Sequence, residues 1–269
     1  MKTIVITGSS RGIGLGLAQS FLDRNCQVVI SGSTVESTNL ARDRLQAKYP
    51  ETKIFALACD VRKYAELKQL WEQSKAHFGT IDIWINNAGV SHSRLPVWKQ
   101  EVTEIDRVIE INLTGAIYGC KVAIAGMLEQ GFGAVYNLEG SGSDGGKIAN
   151  FTLYGTTKYA IRFLTESLVQ ETKGTKVLVG AISPGMVITD LLLGTTDNNS
   201  EPTKRKQVRT VLNILADRVE TVSPWLVDRV LANNKNGTRI AWLTKAKAAY
   251  RFLTAPFNKR DFFADLKEE

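Results

Sequence analysis

Cysteine and histidine are scarce in this sequence. Cys26, Cys59 and Cys120, with His77 and His92, are all that 269 residues hold. The cysteines are odd in number, widely spaced and form no CxxC pair. Neither a disulfide framework nor a zinc site is expected, and a reducing, cytoplasmic setting fits. The three thiols read as small buried hydrophobes. The two histidines stand alone with no HxxxH spacing, so no metal is expected. No apolar run reaches the roughly 20 residues that span a bilayer, and no secretory leader is read before the first strand. The formal charge is +7, yet zinc-finger spacing, RNP-like aromatics and dense Lys/Arg runs are all missing. The basic balance therefore favours anionic ligands, acidic partners or membrane surfaces over nucleic acid. With 43% hydrophobic and 23% charged residues, the chain has an ordinary globular composition.

What is present is a β–α rhythm. Short apolar segments at 3–7, 27–31, 53–58, 81–85, 133–138 and 176–182 read as strands, and amphipathic segments at 12–24, 37–48, 64–78, 103–130 and 154–172 as helices. Such alternation predicts an α/β fold: a doubly wound parallel sheet of Rossmann type, flanked by helices on both faces, in a single domain over 1–269. Two stretches break the rhythm. A polar segment at 193–202 leads into a helix-like one at 203–218, so 191–220 is expected to form a substrate-side loop and helix at the strands' carboxyl ends. Residues 240–269 form a C-terminal extension in which Trp242, Tyr250, Phe252, Phe257, Phe262 and Phe263 mix with Lys245, Lys247, Arg251, Lys259 and Arg260. This tail reads either as a helix packed on the domain or on a second subunit, or as a membrane-surface element.

Between the first strand and first helix stands Thr7-Gly8-Ser9-Ser10-Arg11-Gly12-Ile13-Gly14. Its glycines permit a tight turn and close backbone approach to a pyrophosphate. The helix N-terminus that follows offers free N–H groups and a positive dipole end to that anion. Thr7, Gly8, Ser10, Arg11, Gly12, Ile13 and Gly14 are therefore cofactor-binding candidates. After the second strand the chain reads Ser31-Gly32-Ser33-Thr34, with no acid until Glu36. An acid there would bind a ribose 2′-hydroxyl and repel a 2′-phosphate. Arg11 and the hydroxyls at 31, 33 and 34 instead suit the phosphate, which favours NADP(H) over NAD(H). Further along, Tyr154-Gly-Thr-Thr-Lys158 opens a helix. The i,i+4 spacing puts both side chains on one face, where a lysine ammonium would lower the phenol's pKa and ready it for proton transfer.

The spacing TGxxxGxG, the Asn86-Asn87-Ala88-Gly89 strand end and the YxxxK pair together resemble the short-chain dehydrogenase/reductase family over residues 1 to about 190. The resemblance implies that Asp60, followed by Val61, meets the adenine, and that Asn87, Ala88 and Gly89 line the cofactor. Pro184 and Gly185 would do so too, with Thr189 bonding the nicotinamide carboxamide. Lys158 would hold the nicotinamide ribose, and Asn112 would be the fourth catalytic member. The family's fifth strand runs into N-x-S-S, but here it reads Asn137-Leu138-Glu139-Gly140-Ser141-Gly142-Ser143. Ser141 lies at the family's common spacing from Tyr154, and Ser143 is its rival. Glu139 stands where serine is usual, as a substrate contact or a solvated loop acid. The implied reaction is hydride exchange between the nicotinamide and a carbonyl or alcohol, with Tyr154 moving the proton. A homodimer or homotetramer is implied as well.

The serine loop, the segment Ser183-Pro-Gly-Met-Val-Ile-Thr-Asp-Leu-Leu-Leu193 and the tail are similar to the chlorophyll(ide) b reductase branch of that family, which reduces a ring formyl group with NADPH. A flat tetrapyrrole would need a broad apolar mouth, for which Leu191, the two leucines after it and the aromatic tail are the candidates. Two other readings stay open: a generic small-molecule carbonyl reductase, and a catalytically silent NADP(H)-binding sensor or scaffold.

Overall fold

In a computed structural model, residues 1–193, 202–258 and 260–263 are described. Seven parallel strands build the main sheet: β1 (Thr3–Ile6), β2 (Gln27–Ile30), β3 (Ile54–Ala56), β4 (Ile83–Asn86), β5 (Gly133–Leu138), β6 (Val177–Ser183) and, late in the chain, β9 (Arg239–Ala241). Their order is β3-β2-β1-β4-β5-β6-β9. The strands alternate faces with period two. Ile4, Ile6, Val28, Ile30, Ile83 and Ile85 pack on one side with α1 (Gly12–Asp23), α2 (Val35–Gln46) and α9 (Val219–Ala232). Val5, Val29, Trp84 and Val135 point to the other side, under α3 (Tyr64–Phe78) and α5 (Gly115–Gln130). The expected doubly wound sheet is present. Its direction reverses between β1 and β4, which opens the crevice where such sheets bind ligands.

Three features differ from the sequence reading. The helix expected at 103–130 is α4 (Val102–Ile109) joined to α5 through a π turn at Glu110–Thr114. The run Val102–Gln130 is long and apolar enough to cross a membrane, but half of its most apolar stretch is buried inside the domain. Isolated polar residues such as Asn112 and Lys121 mask that run in the sequence. Second, α9 was not expected, because Pro224 sits inside it and removes an intrahelical donor. Its buried face of Val222, Leu226, Val227 and Val230 packs on α1 and offsets that loss. Third, β9 is three residues long, too short to stand out. Ile240 and Ala241 belong to it, so the boundary at 240 falls inside the sheet.

Beyond β6 lie β7 (Val187–Ile188), α7 (Asp190–Leu193), α8 (Pro202–Leu215) and β8 (Asp217–Arg218); after β9 comes α10 (Lys245–Thr254). β7 and β8 pair in a small second sheet. Residues 194–201, most of the polar segment noted at 193–202, and Lys259 lie outside the described residues.

Candidate active site

The carboxyl ends of β1, β4, β5 and β6 open into one cavity of about 680 Å³. Of the glycine-loop, strand-end and catalytic candidates named from the sequence, all line it except Thr7, Asn112 and Ser143. At one end is the glycine loop. Gly8 and Gly12 have φ of +62° and +57°, a region that favours glycine. A Cβ on Gly8 would lie 2.7 Å from Ala88 Cα, and one on Gly14 would lie 2.5 Å from Asn87 Nδ2. Thr7 works behind this wall, its Oγ1 accepting from the Asn87 and Ala88 amides at 3.1 and 3.2 Å. Asn87 Nδ2 returns bonds to the carbonyls of Thr7 and Gly8, both at 2.8 Å. The N-cap of α1, Arg11, makes no side-chain capping bond, and no acid occupies the first turn. The helix end thus offers its amides and dipole to an anion in the cavity, and the residues present fit a dinucleotide pyrophosphate.

The hydroxyls expected to meet a 2′-phosphate are divided. Ser33 is exposed on the cavity wall. Ser31 is wholly buried, and Thr34 caps α2 by accepting from Ser37 N at 3.2 Å. Only Ser33 of the three joins Arg11 there. Asp60 is gripped by Arg62, with bonds of 2.7 to 3.1 Å, and the first of these bonds' partners, the guanidinium, holds the carboxyl below its ordinary range. With Arg94 and Arg107, Arg62 adds further guanidinium groups to the wall beside Arg11, none of them marked by a sequence motif.

Tyr154 and Lys158 rise together from α6 (Thr152–Glu171) and both are buried. Lys158 Nζ donates to the Leu138 carbonyl at 3.0 Å and lies 5.6 Å from the centre of the Tyr154 ring. Burial pulls the lysine down to about 8, opposed by the charge of Glu139. Burial alone pushes the Tyr154 phenol up to about 12. The expected lowering of the phenol by its lysine is therefore not found: desolvation is the cause of the shift, and the lysine donates to a strand carbonyl. Phe151 stacks on Tyr154 with ring centres 4.7 Å apart, and the Arg94 guanidinium lies 4.1 Å above Phe151. Both line the cavity, and neither carries a sequence signal that marks it.

Asn112 is not bonded to its own helix. Its Oδ1 accepts from Val90 N at 2.8 Å, while Nδ2 donates to Val90 O at 2.9 Å and Thr157 Oγ1 at 3.3 Å. It occupies the π turn, a distortion often found at functional sites. From there it fixes the strand end carrying Gly89 to α6. The serines separate cleanly. Ser141 is exposed and lines the cavity. Ser143 is buried and donates to Glu139 Oε2 at 3.3 Å. Counting from Asn137, the N-x-S-S register falls on Glu139 and Gly140. A Cβ on Gly140 would lie 2.5 Å from the Tyr154 hydroxyl, so a side chain there would collide with it.

At the far end the walls are apolar: Leu191, Leu192, Val208, Val211 and Leu212, with Ile148 opposite the sheet. Among the described residues none from the aromatic tail lines the cavity, a correction to its proposed place in the mouth. The tail braces this wall from behind. Asp217 is buried and pairs with Arg251 and Arg260 at 2.8 and 2.9 Å, and it accepts from Trp242 Nε1 at 2.6 Å. Phe263 is buried with Leu212 and Ala216, and Phe262, Met186 and Leu192 pack around them.

The short chain dehydrogenase family model matches residues 2–200. Chlorophyll(ide) b reductase NOL, chloroplastic, of Oryza sativa subsp. japonica is 35% identical over 260 residues, 93% of this chain and 74% of the relative. A probable chlorophyll(ide) b reductase, NYC1, of the same organism is 33% identical over 94% of this chain, which spans about half of that relative, 52%. Among solved structures, levodione reductase superposes with a TM-score of 0.82 at 22% identity, covering 93% of this chain and 98% of that one. With the family match over most of the chain and relatives above 30% identity, the chain belongs to the NAD(P)-dependent short-chain dehydrogenase/reductase family.

Proposed function

We propose that this oxidoreductase uses NADP(H) to interconvert a carbonyl and an alcohol, and that its substrate is a formyl group on a large apolar molecule of the chlorophyll(ide) b type. The observation that carries the reading is the placement of Tyr154. Its phenol is held at the polar floor of a cavity whose outer wall is built from Leu191, Leu192, Val208, Val211 and Leu212. Similarity to the rice chlorophyll(ide) b reductase over most of both chains supports the substrate class.

The division of labour follows from the side chains. The glycine loop and the amides at the start of α1 hold the pyrophosphate, while Arg11 and Ser33 take the 2′-phosphate. Bound there, the cofactor supplies the hydride. Tyr154 Oη gives its proton to the carbonyl oxygen in reduction. Ser141 Oγ donates to the same oxygen as charge develops on it. Lys158, anchored on the Leu138 carbonyl, keeps a positive charge beside the phenol. Asn112 holds α6 and the Gly89 strand end in register. The apolar wall excludes water from the reacting centre.

Three substitutions test the assignments. Arg11→Ala weakens NADPH binding about tenfold or more and leaves NADH binding unchanged, as loss of one charge-assisted bond requires. Calorimetric titration with both cofactors reads this, and an equal loss for the two would remove the 2′-phosphate role. Ser141→Ala lowers kcat about 100-fold, whereas Ser143→Ala, which removes one of the three donor contacts to Glu139, costs about tenfold at most. The reverse order would transfer the role to Ser143.

For the substrate class, NADPH consumption is followed with small aldehydes and with a formyl tetrapyrrole. Higher kcat/KM for the tetrapyrrole supports the reading; turnover of small aldehydes alone would leave a generic carbonyl reductase. The proposal also takes the protein as cytoplasmic and as a homodimer or homotetramer. Light scattering of the purified chain tests the assembly, with Ile117 and Leu128 on α5 and Tyr159 and Phe163 on α6 as exposed apolar positions available to a second copy.

A further inference from the structure

Glu139 is a buried acid at the catalytic cavity that the steps above leave unused. It directly follows Leu138, whose carbonyl anchors Lys158 Nζ at 3.0 Å, and its own amide bonds Ile182 O at 2.8 Å to extend the β5–β6 pairing. Its side chain is 1% exposed. Three donors converge on one carboxylate oxygen: Arg239 Nε at 2.8 Å, Arg239 Nη2 at 2.7 Å and Ser143 Oγ at 3.3 Å. Arg239 comes from β9 and is itself held by Ser183 Oγ at 3.0 Å. Glu139 lines both the catalytic cavity and a second, smaller one of about 160 Å³ that also touches Arg162 and Arg239. A buried ion pair adds little to stability even when well paired, so a purely structural role here would be filled as well by uncharged residues.

We infer that Glu139, clamped by Arg239 and Ser143, is a positioning residue for the catalytic pair: it holds negative charge one residue beyond the carbonyl that anchors Lys158 and ties the loop bearing Ser141 to the sheet. This rests on the reading of Tyr154 and Lys158 as the centre of a carbonyl reductase. The charged groups that bear on the arrangement come from three elements. Arg239 faces Glu139 from β9, Lys158 and Arg162 from α6, and Asp144 and Glu166 act on Arg162. Burial draws Lys158 toward loss of its proton, and Glu139 opposes this. Without the carboxylate, Lys158 sheds its proton at lower pH, and the alkaline limb of the reductase activity moves down with it.

Glu139→Gln keeps the shape and removes the charge. Arg239 is 41% exposed and can turn to solvent, so the variant is expected to fold; Glu139→Gln/Arg239→Met removes both partners if it does not. Lysine labelled with 13C at Cε gives the Lys158 titration by NMR, assigned by its loss in Lys158→Met, without need of turnover. The expected result is a Lys158 midpoint lowered by about half a pH unit or more in Glu139→Gln, matched by the kcat profile and restored in Glu139→Asp. An unmoved midpoint in a folded variant would overturn the inference, even if melting temperature fell. Wild-type protein that turns over no carbonyl while the midpoint still falls would instead count against the reductase reading and leave the placement of Glu139 standing.

Discussion

Tyr154→Phe lowers kcat for carbonyl reduction about 1,000-fold, the scale of a lost general acid, and leaves NADPH affinity and melting temperature close to wild type. The substitution deletes one oxygen from a side chain already packed face to face on Phe151. Among the described residues no hydrogen bond depends on that oxygen, so packing survives. Burial holds the phenol in its protonated form to about 12, which makes Tyr154 a proton donor across the working pH range. Stopped-flow measurement of the chemical step, beside a fluorescence titration with NADPH, separates chemistry from binding. A loss below about tenfold would remove Tyr154 from the proton-transfer role.

Lys158→Met has a larger range of consequences. Activity falls by about 1,000-fold or more, because the ammonium beside the phenol and its anchor on Leu138 disappear together. Stability moves the other way. The lysine titrates at about 8 in the fold against 10.5 in the open chain, so between those values the unfolded state binds more protons. Wild-type stability therefore rises as pH climbs from about 8 to 10.5, and at pH 7 the fold carries the full cost of the buried charge. Lys158→Met is expected to melt no lower than wild type at pH 7, with the wild type gaining on it through the alkaline window. Thermal unfolding followed by circular dichroism at pH 7, 9 and 10.5 reads this. A variant that melts well below wild type at pH 7 would mean that Lys158 serves packing rather than function. The same depressed titration sets the reaction's own pH range: reductive kcat is expected to decline above about pH 8 as Lys158 loses its proton.

Much of this was legible in the sequence because the relevant signals are local. Apolar runs bounded by turns located six of the seven main-sheet strands, and the glycine loop, the Asn86–Gly89 strand end and the YxxxK spacing each lie within one stretch of chain. What stayed hidden depends on residues far apart. The partner of Glu139 is 100 residues away on β9, a strand too short to show periodicity. The helix α9 was obscured by Pro224, whose local penalty is offset only by packing against α1. The π turn at Asn112 leaves the helical pattern on both sides intact. The hydroxyls at 31, 33 and 34 look equivalent in sequence, but strand burial takes Ser31 and helix capping takes Thr34. The choice between Ser141 and Ser143 likewise needed the third dimension, where one faces the cavity and the other faces Glu139. The direction of the Tyr154 shift was missed for a related reason: proximity to a lysine is visible in the sequence, whereas the depth of burial is not.

The central claim is that a carbonyl carbon receives hydride at the Tyr154–Lys158 centre. It is tested most directly by incubating the protein with NADPH deuterated at the transferable C4 position and a panel of apolar formyl compounds, including a formyl tetrapyrrole, and measuring label in the product by mass spectrometry. The account expects one deuterium on the new hydroxymethyl carbon, appearing about 1,000-fold more slowly in Tyr154→Phe. Tight NADPH binding with no label transferred to any carbonyl would contradict it.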